Sequence, residues 1–297
     1  MKPLRTALFA PGSKDRVMAK ALESGADAVI FDLEDSVPIA AKAEARGLVV
    51  KAIGDAAAAN RNGPAVFVRV NAAATGLLGD DLLAVVRPGL DGIFLPKAET
   101  VAEVELAVSY LDRYEAAHSV RYRTVDIILM IESALGVRRC FELIEASPRV
   151  ASTCIGVAQD GDLQTDLGCS WSVEGTELLY ARSKVLLDTR AAGKPYPLDG
   201  VFSNLADEEA LIKDTRLSAR LGYVGRTVIH PKQIEPVRRA YAVPEGEVAY
   251  YTKVVKEFEA VEKSGVAAIT IDGKLVDYAM FQRAKRVLTL AQLDRKA

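Results

Sequence analysis

Short apolar runs recur along the chain, and they are mostly continuous rather than alternating with polar residues. They are rich in Val, Ile, Leu and Phe, which is typical of strands buried on both faces of a parallel sheet. We predict strands at residues 6–10, 28–33, 65–70, 92–95, 126–131, 150–157, 198–202 and 224–229.

Amphipathic stretches of helical length separate these runs. We predict helices at residues 15–24, 40–59, 100–119, 135–147, 175–192 and 207–221, with a weaker pattern at 75–88. Strands that alternate regularly with helices favour an α/β fold, and a set of this size predicts a closed (β/α)8 TIM barrel over an open sheet.

The chain continues well beyond the eighth strand, when a barrel is already complete. We predict the barrel at residues 1–235 and a C-terminal helical tail at residues 236–297, with helices at about 246–264 and 278–293 and a turn at 269–274. The tail is interpreted as an oligomerisation arm or as a lid over the mouth of the active site.

Polar side chains capable of chemistry stand at or just after the ends of most predicted strands. The active site of a parallel α/β barrel is built from the C-terminal ends of its strands, so these residues are expected to converge. They are Asp32, Glu34 and Asp35, then Arg69, Lys97, Glu132, Asp160 with Asp162, and finally His230.

Charge and composition exclude several functional classes. Lys and Arg number 38 against 40 Asp and Glu, and the basic residues are scattered, so nucleic acid is not an expected partner. No apolar run is long enough for a membrane span, and the N-terminus lacks a signal-peptide pattern, so we expect a cytoplasmic protein. Motifs of dinucleotide-binding proteins, P-loop enzymes, zinc proteases and serine hydrolases are also missing.

Glu132 and Asp162 follow adjacent predicted strands and could share one divalent ion. A site with few protein oxygens, completed by water and substrate, suits Mg2+. The alternative is that each carboxylate caps a helix or pairs with an arginine such as Arg138.

The acids Asp32, Glu34 and Asp35 would repel one another unless a cation, metal-bound water or an arginine lies among them. We expect them to accept hydrogen bonds from metal-bound water, with Glu34 and Asp35 as catalytic-site residues. The alternative is a loop acid that caps the following helix, above all for Asp35. Arg69 ends a buried strand, where a charged group requires a partner. Its planar fork fits the carboxylate of a substrate, whereas the alternative is a structural ion pair with one of these acids.

Lys97 is interpreted as a charge partner for phosphate or carboxylate, or as part of a buried ion pair, rather than as a Schiff-base nucleophile. His230 follows the last strand, where barrel enzymes often bind phosphate, although a structural role in the wall is the commoner outcome. Pro11 and Gly12 open a helix whose backbone amides could bind an anion, or they simply form a turn.

Several segments together resemble the HpcH/HpaI aldolase and citrate lyase β-subunit (CitE-like) family, and most of all its malyl-CoA and citramalyl-CoA lyases. The resemblance spans nearly the whole chain. It is carried by LFAPG at 8–12, DLEDSV at 32–37, RVN at 69–71, LPK at 95–97, IES at 131–133, DLQTDLG at 162–168, GRTVIHPKQ at 225–233 and DGKLVD at 272–277.

The resemblance implies a magnesium-dependent carbon–carbon lyase that cleaves a carboxylated 3-hydroxyacyl-CoA into an acyl-CoA and a 2-oxo acid. It implies that Glu132 and Asp162 hold Mg2+, that Arg69 binds the oxo-acid carboxylate, and that Asp277 of a neighbouring subunit is the catalytic acid and base. A homo-oligomer, trimer or hexamer, is expected for the same reason.

The chain departs from the family pattern in places. Where the family often reads Ala-Glu-Asp, this chain has Asp160-Gly161-Asp162, which leaves Asp160 as an alternative metal ligand. Ser133 stands where Thr is usual, which could alter the pocket and hence the substrate, and Gly225-Arg226 stands where Gly-Lys is usual. A malyl-CoA thioesterase, an aldolase acting without CoA, and a citrate lyase β subunit acting on an acyl-carrier thioester remain alternatives at this stage.

Overall fold

The computed structural model describes residues 1–59, 63–262 and 268–294. Eight parallel strands close into one barrel in chain order, because β1 pairs with both β2 and β8. The predicted TIM barrel is therefore confirmed. The strands are β1 (Thr6–Pro11), β2 (Ala28–Asp32), β3 (Ala65–Arg69), β4 (Gly92–Leu95), β5 (Asp126–Ile131), β6 (Val150–Ile155), β7 (Leu198–Asp199) and β8 (Gly225–Val228).

Helices connect the strands on the outside of the barrel, and none of the described helices is both long and apolar enough to cross a membrane. They are α1 (Asp15–Leu22), α2 (Lys42–Ala59), α3 (Leu78–Val85), α4 (Val101–Ala117), α5 (Ala134–Glu145), α6 (Asp162–Leu167), α7 (Leu179–Ala191), α8 (Glu208–Leu221) and α9 (Ile234–Tyr241). The helices α6 and α9 were not predicted, and the weak pattern at 75–88 corresponds to α3.

The strand β7 has two residues, although the apolar run predicted five. It stops because the Gly200 amide donates to the Asp199 carboxylate oxygen Oδ1 at 2.9 Å and leaves the ladder. Gly200 also passes so close to β6 that a Cβ there would lie 2.3 Å from the Ile155 carbonyl oxygen. An apolar run alone does not reveal this close approach.

Side chains inside the barrel form layers, as the two-residue period of the strands requires. A buried apolar layer contains Ile30, Phe67, Met130, Cys154 and Leu198, with Phe9 packed against it. Two positions further along the same six strands, the inward-facing residues line a cavity: Pro11, Asp32, Arg69, Glu132, Gly156 and Gly200. The register of the core therefore determines which residues reach the mouth of the barrel.

The chain divides into two compact units, Met1–Ala240 and Tyr241–Ala297. The second unit contains α10 (Glu245–Glu262), β9 (Ala268–Ile271), β10 (Lys274–Asp277) and α11 (Tyr278–Asp294). Its two strands form an antiparallel hairpin around Asp272 and Gly273, both with positive φ. We predicted only a turn here, although Asp-Gly between apolar residues is a known hairpin signal. The end of the helix predicted at 246–264 lies outside the described residues.

A buried ionic cluster holds the end of the barrel opposite the cavity. Arg149 precedes β6, and its Nη1 donates to Glu115 Oε1 at 2.9 Å. The same carboxylate accepts the backbone amides of Arg123, Thr124 and Val125, just before β5. Glu115 is fully buried, so its charge depends on these partners.

We expect Glu115→Ala to reduce the free energy of unfolding by about 3–5 kcal/mol, because it leaves the Arg149 guanidinium buried without its main partner. Denaturant unfolding followed by circular dichroism measures this loss. Glu105→Ala, at an exposed position of the same helix, is the control and should change stability by less than about 0.5 kcal/mol. Equal effects of the two substitutions would contradict the role given to Glu115.

Candidate active site

A cavity of about 450 Å³ lies at the C-terminal ends of the barrel strands. Asp32, Arg69, Glu132 and Asp162, all singled out from the sequence, line it. Asp35 and Pro11 also reach the cavity. The expected convergence of strand-end residues is therefore found in the first unit of the chain.

Asp32 organises the turn that follows β2. Its carboxylate accepts the backbone amides of Glu34 at 2.9 Å and Ser36 at 3.1 Å. It also accepts two hydrogen bonds from Arg69, from Nε and Nη2, each at 2.7 Å. Burial favours the neutral acid, but the hydrogen bonds and charge of Arg69 keep the pKa of Asp32 below its usual value. Asp32 is therefore an ionised anchor for the turn.

Arg69 has the structural ion pair that the sequence analysis kept as an alternative, and it also faces the cavity. Its Nη1 lies 2.8 Å from Glu34 Oε2 and donates to Asp35 Oδ2 at 3.3 Å. Its guanidinium carbon lies 5.0 Å from the centre of the Phe9 ring. The Asp32 pair uses one hydrogen on Nη2, so this nitrogen retains a second hydrogen for a ligand.

Lys97 contacts two acids that follow β2 and also Asp162, the first residue of α6. Its Nζ lies 2.9 Å from Glu34 Oε1, 3.5 Å from Asp35 Oδ1 and 3.4 Å from Asp162 Oδ2. Partial burial lowers the pKa of Lys97, but these carboxylates outweigh it and raise the pKa above the usual value. A lysine that stays protonated is a charge partner and not an amine nucleophile.

Glu132 is a buried carboxylate of the cavity that forms no ion pair with another described residue. It is 8% exposed, and its Oε2 has no hydrogen-bond partner within the described part of the chain. Burial raises the pKa of Glu132 to about 7, with Glu34 and Asp162 adding to the rise and Arg69 opposing it. Gly156 permits this position, because a Cβ there would lie 2.8 Å from Glu132 Cγ.

Asp162 and not Asp160 lines the cavity. Asp162 is the first residue of α6, and its side chain is 49% exposed. Asp160 is exposed and has a positive φ, and its amide donates to Gln164 Oε1 at 2.7 Å. Of the two aspartates, Asp162 is therefore the one whose position at the cavity supports the prediction of a metal ligand.

The side chains at the cavity fit a hard divalent cation. Oxygen donors predominate, and the buried Glu132 oxygen without a partner is a vacant donor of the kind that Mg2+ prefers. Within the described ranges, no three acidic, histidine or cysteine side chains form a complete metal cage. Two protein carboxylates would therefore leave most of the coordination sphere to water and substrate. The five carboxylates that surround two cations, Arg69 and Lys97, are Asp32, Glu34, Asp35, Glu132 and Asp162.

Three residues predicted for the site have other contacts. His230 is not among the cavity-lining residues, and its Nδ1 accepts the Lys232 amide at 3.1 Å. The Gly12 amide donates to the Asp32 carbonyl at 2.8 Å, so it is already used within the fold. Asp277 belongs to the second unit, where its exposed carboxylate accepts the Met280 amide at 2.9 Å at the start of α11.

The residues that form the inner wall of the cavity were not predicted from the sequence. Phe9, Met130 and Cys154 lie one layer below the polar residues, and Thr227 and Ile229 face the cavity from β8 and the residue after it. The alternation of side chains along a strand could have identified these residues. Met130 lies two positions before Glu132, and Cys154 lies two positions before Gly156, so each pair faces the same side of its strand.

Comparisons with known proteins agree with this geometry. The model of the HpcH/HpaI aldolase/citrate lyase family matches residues 5–231, and a model described as a C-C bond lyase of the TIM-barrel fold matches residues 183–294. Citrate lyase subunit beta of Leuconostoc mesenteroides subsp. cremoris is 37% identical over 98% of this chain and 94% of that protein. The (3S)-malyl-CoA thioesterase of Cereibacter sphaeroides (strain ATCC 17025 / ATH 2.4.3) is 30% identical over 98% of this chain and 95% of that protein.

A solved structure of a similar protein contains bound ligands. The protein CitE from Mycobacterium tuberculosis, in complex with magnesium, acetoacetate and coenzyme A, has a TM-score of 0.73 and 28% identity and covers 98% of both chains. The family inferred from the sequence motifs is confirmed. The chain belongs to the HpcH/HpaI aldolase/citrate lyase family and is an enzyme of the carbon–carbon lyase class.

Proposed function

We propose that this protein is a magnesium-dependent lyase that cleaves a carboxylated 3-hydroxyacyl thioester to an acyl thioester and a 2-oxo acid. The observation that carries the proposal is the buried Glu132 oxygen without a partner, in one cavity with Asp162 and Arg69. The ligands in the CitE structure, magnesium, acetoacetate and coenzyme A, support the same class of substrate.

Glu132 and Asp162 are the residues that would hold the ion. When bound, Mg2+ supplies a Lewis acid that polarises the hydroxyl and carboxylate oxygens of the substrate. The excess of carboxylates over cations around the cavity would attract the ion, and the charge of the bound ion would favour the ionised form of Glu132.

Arg69 would orient the substrate carboxylate through its remaining Nη2 hydrogen. Asp32 fixes the plane of the guanidinium, while Glu34 and Asp35 hold its other end. A donor held in this way needs little reorganisation when negative charge develops on the departing oxo acid. Glu34 and Asp35 therefore act by positioning Arg69 and Lys97. Pro11, Lys97 and His230 are the proposed contacts for the thioester around the mouth of the cavity.

Asp277 of a neighbouring copy would be the acid and base, which requires a homo-oligomer such as a trimer or hexamer. In the cleavage direction, the bond between the carbinol carbon and the α-carbon breaks, and its electron pair remains on the α-carbon as a thioester enolate. The hydroxyl gives its proton to a water molecule as the carbonyl of the oxo acid forms, and solvent returns a proton to the Asp277 carboxylate at the end of the cycle. Asp277 then donates a proton to the α-carbon, and it abstracts the same proton in the condensing direction.

Thioester hydrolysis is a second candidate, because the relative from Cereibacter sphaeroides is named a malyl-CoA thioesterase. The purified chain is incubated with Mg2+ and a panel of hydroxyacyl-CoAs, while released thiol and released 2-oxo acid are both measured. A lyase produces the oxo acid without thiol, whereas a thioesterase produces thiol. If the chain cleaves none of the CoA substrates, the same acyl groups are supplied on an acyl-carrier protein. Activity with these carrier thioesters alone would indicate a subunit that depends on an acyl carrier.

We expect Glu132→Gln to abolish measurable Mg2+ binding and to lower turnover by at least about a thousandfold, because the amide keeps the shape but loses the charge of the ligand. Isothermal titration calorimetry measures the ion, and circular dichroism checks the fold. Asp160→Asn, which changes an acid that does not line the cavity, is the matched control and should bind Mg2+ normally. Normal ion binding by Glu132→Gln would refute this assignment.

Binding of Mg2+ should release more protons at pH 6 than at pH 8. Burial raises the pKa of Glu132 to about 7, so the metal-free acid is mostly protonated at pH 6 and must lose its proton to bind the ion. We expect about 0.9 proton released per ion at pH 6 and about 0.1 at pH 8. Calorimetry in buffers of different ionisation enthalpy measures this number. Equal release at the two pH values would contradict the raised pKa.

Asp277→Asn should fold and bind Mg2+ but turn over at least about a hundredfold more slowly, because it removes a general acid and not a metal ligand. Mixing inactive Asp277→Asn with inactive Glu132→Gln after dissociation and reassembly should restore activity, since mixed oligomers contain sites with both native residues. Near-normal turnover by Asp277→Asn would show that it is not the acid. Failure of the mixture to regain activity would show that it does not act between subunits.

A further inference from the structure

Lys42 is a buried cation outside the cavity. It is 8% exposed, it is the first residue of α2, and it is not among the residues that line the cavity. Among the described residues its ammonium forms no ion pair, and it donates instead to the backbone carbonyls of Leu33 at 2.7 Å and Glu34 at 3.0 Å. A lysine is rarely buried unless a carboxylate accompanies it, so this position has to be explained by what the ammonium holds.

The place of Lys42 in its helix is also unfavourable for a cation. The helix α2 begins at this residue, after a short 3-10 turn at Ile39–Ala41. The N-terminal turn of a helix carries the positive end of the helix dipole, which favours carboxylates and disfavours ammonium groups. The two carbonyls therefore compensate both for the burial of the charge and for its place in the helix. Both belong to the segment that carries Glu34 and Asp35.

This segment, residues 33–37, is the acidic turn, and Lys42 joins it to the outer layer of the barrel. The Leu33 amide donates to the Arg69 carbonyl at the end of β3 at 2.9 Å, and the Val37 amide donates to the Glu34 carbonyl at 3.1 Å. These two contacts connect the turn to a strand and to itself. The ammonium of Lys42 connects the same backbone to a helix.

The acidic turn does not depend on Lys42 to remain folded. The Leu33 carbonyl also accepts Asn71 Nδ2 at 3.0 Å, and the buried Asp81 carboxylate holds that amide group at 2.6 Å. The Glu34 carbonyl keeps its hydrogen bond from within the turn. Loss of the ammonium therefore leaves neither carbonyl without a donor, and we expect a folded chain with a less firmly held turn.

Glu34 transmits the position of the turn to two cations of the site. Its Oε2 lies 2.8 Å from Arg69 Nη1, and its Oε1 lies 2.9 Å from Lys97 Nζ. The residue is 6% exposed, so its carboxylate has little freedom to keep both contacts when the backbone moves. Misplacement of a substrate-binding group by about 1 Å can slow a reaction about a hundredfold. A backbone contact outside the cavity can therefore control a donor inside it.

We infer that Lys42 is a positioning residue: its ammonium holds the backbone at Leu33 and Glu34, and Glu34 in turn fixes the guanidinium that receives the substrate carboxylate. In this arrangement Lys42 touches neither the substrate nor the metal ion. The inference rests on the proposed function and adds to it a residue that lies outside the cavity. Loss of the ammonium should impair turnover, while the fold and the binding of Mg2+ are retained.

The first test replaces Lys42 with methionine, which has a similar length and no charge. We expect Lys42→Met to lower kcat by at least about tenfold, measured as oxo-acid release from the hydroxyacyl-CoA that the wild type cleaves best. KM should change by less than about threefold, because Arg69 keeps its bidentate pair with Asp32 and still binds the substrate. Calorimetry should show normal Mg2+ binding, since neither Glu132 nor Asp162 belongs to the turn.

Lys51→Met is the matched control. Lys51 also lies on α2, but it is exposed and pairs with Asp15 and Asp55 at the surface, so kcat should stay within about twofold of the wild type. If Lys42→Met turns over as fast as Lys51→Met, the inference is wrong. If circular dichroism shows that Lys42→Met does not fold, Lys42→Gln, which keeps a shorter polar donor at the same position, takes its place in every measurement.

A double variant separates positioning through Glu34 from a general loss of packing. Glu34→Gln removes the charge by which the turn holds Arg69 and Lys97. If Lys42 acts through Glu34, adding Lys42→Met to Glu34→Gln should lower kcat by no more than about a further twofold. A double variant in which the two single losses multiply would show that Lys42 acts by another route, and it would overturn the inference.

Hydrogen exchange tests the acidic turn independently of the reaction. In Lys42→Met the amides of residues 33–37 should exchange at least about tenfold faster than in the wild type, whereas Lys51→Met should show wild-type exchange. Mass spectrometry of overlapping peptides measures these rates. Unchanged exchange of the turn would contradict the inference, and faster exchange with normal turnover would refute the positioning role. If the wild type cleaves no thioester, the proposed function fails, and the exchange rates still decide whether Lys42 holds the turn.

Discussion

The bidentate ion pair between Asp32 and Arg69 is the interaction on which the site depends. The two residues are register partners at the C-terminal ends of β2 and β3, so the barrel itself brings them together. Asp32 then uses its remaining capacity to accept the amides of Glu34 and Ser36. One carboxylate thus joins two strands, folds the acidic turn and fixes the plane of the guanidinium. Without it, three neighbouring acids and a buried cation would have no defined arrangement.

A surplus of negative charge follows from this arrangement. Arg69 and Lys97 satisfy the acids after β2, but Glu132 is left with a buried oxygen that no described group contacts. A barrel that carries such an uncompensated acid loses stability unless a cation or a proton is supplied. The raised pKa of Glu132 shows that a proton can neutralise this carboxylate. In the proposed function a divalent ion takes the place of the proton, and the oxygen donors around the cavity suit a hard cation.

Much of the site could be predicted because strand-end position and chemical type are both visible in the sequence. Arg69, Glu132 and Asp162 were found in this way. The ion-pair partners of Arg69 could not be predicted, because Arg69 could equally bind a substrate carboxylate or the acids that follow β2. The separation of these residues along the chain does not distinguish the two. Local geometry was hidden for a similar reason: His230 ends an apolar run like the other candidates, yet its ring accepts the Lys232 amide instead of lining the cavity.

The fold was more predictable at its long elements than at its short ones. Continuous apolar runs and amphipathic helices gave the barrel, since burial on two faces leaves a strong pattern. The helix α6 is too short to show a period, and β7 ends at a contact with the Asp199 side chain that no pattern encodes. The hairpin of the second unit did have a signal, in Asp272 and Gly273, and its exposed strands lacked the apolar continuity used to find the others.

The short strand β7 is the most weakly paired strand of the barrel. It has one register pair with β6 and two with β8. Arg226 compensates from β8, because its Nε and Nη2 both donate to the Gly200 carbonyl at 2.9 Å and 2.7 Å. Closure there relies on a side chain as much as on the backbone ladder. Local opening of the barrel should therefore begin at this seam. Because β7 pairs with β6, such an opening would also move the loop after β6 that leads to Asp162.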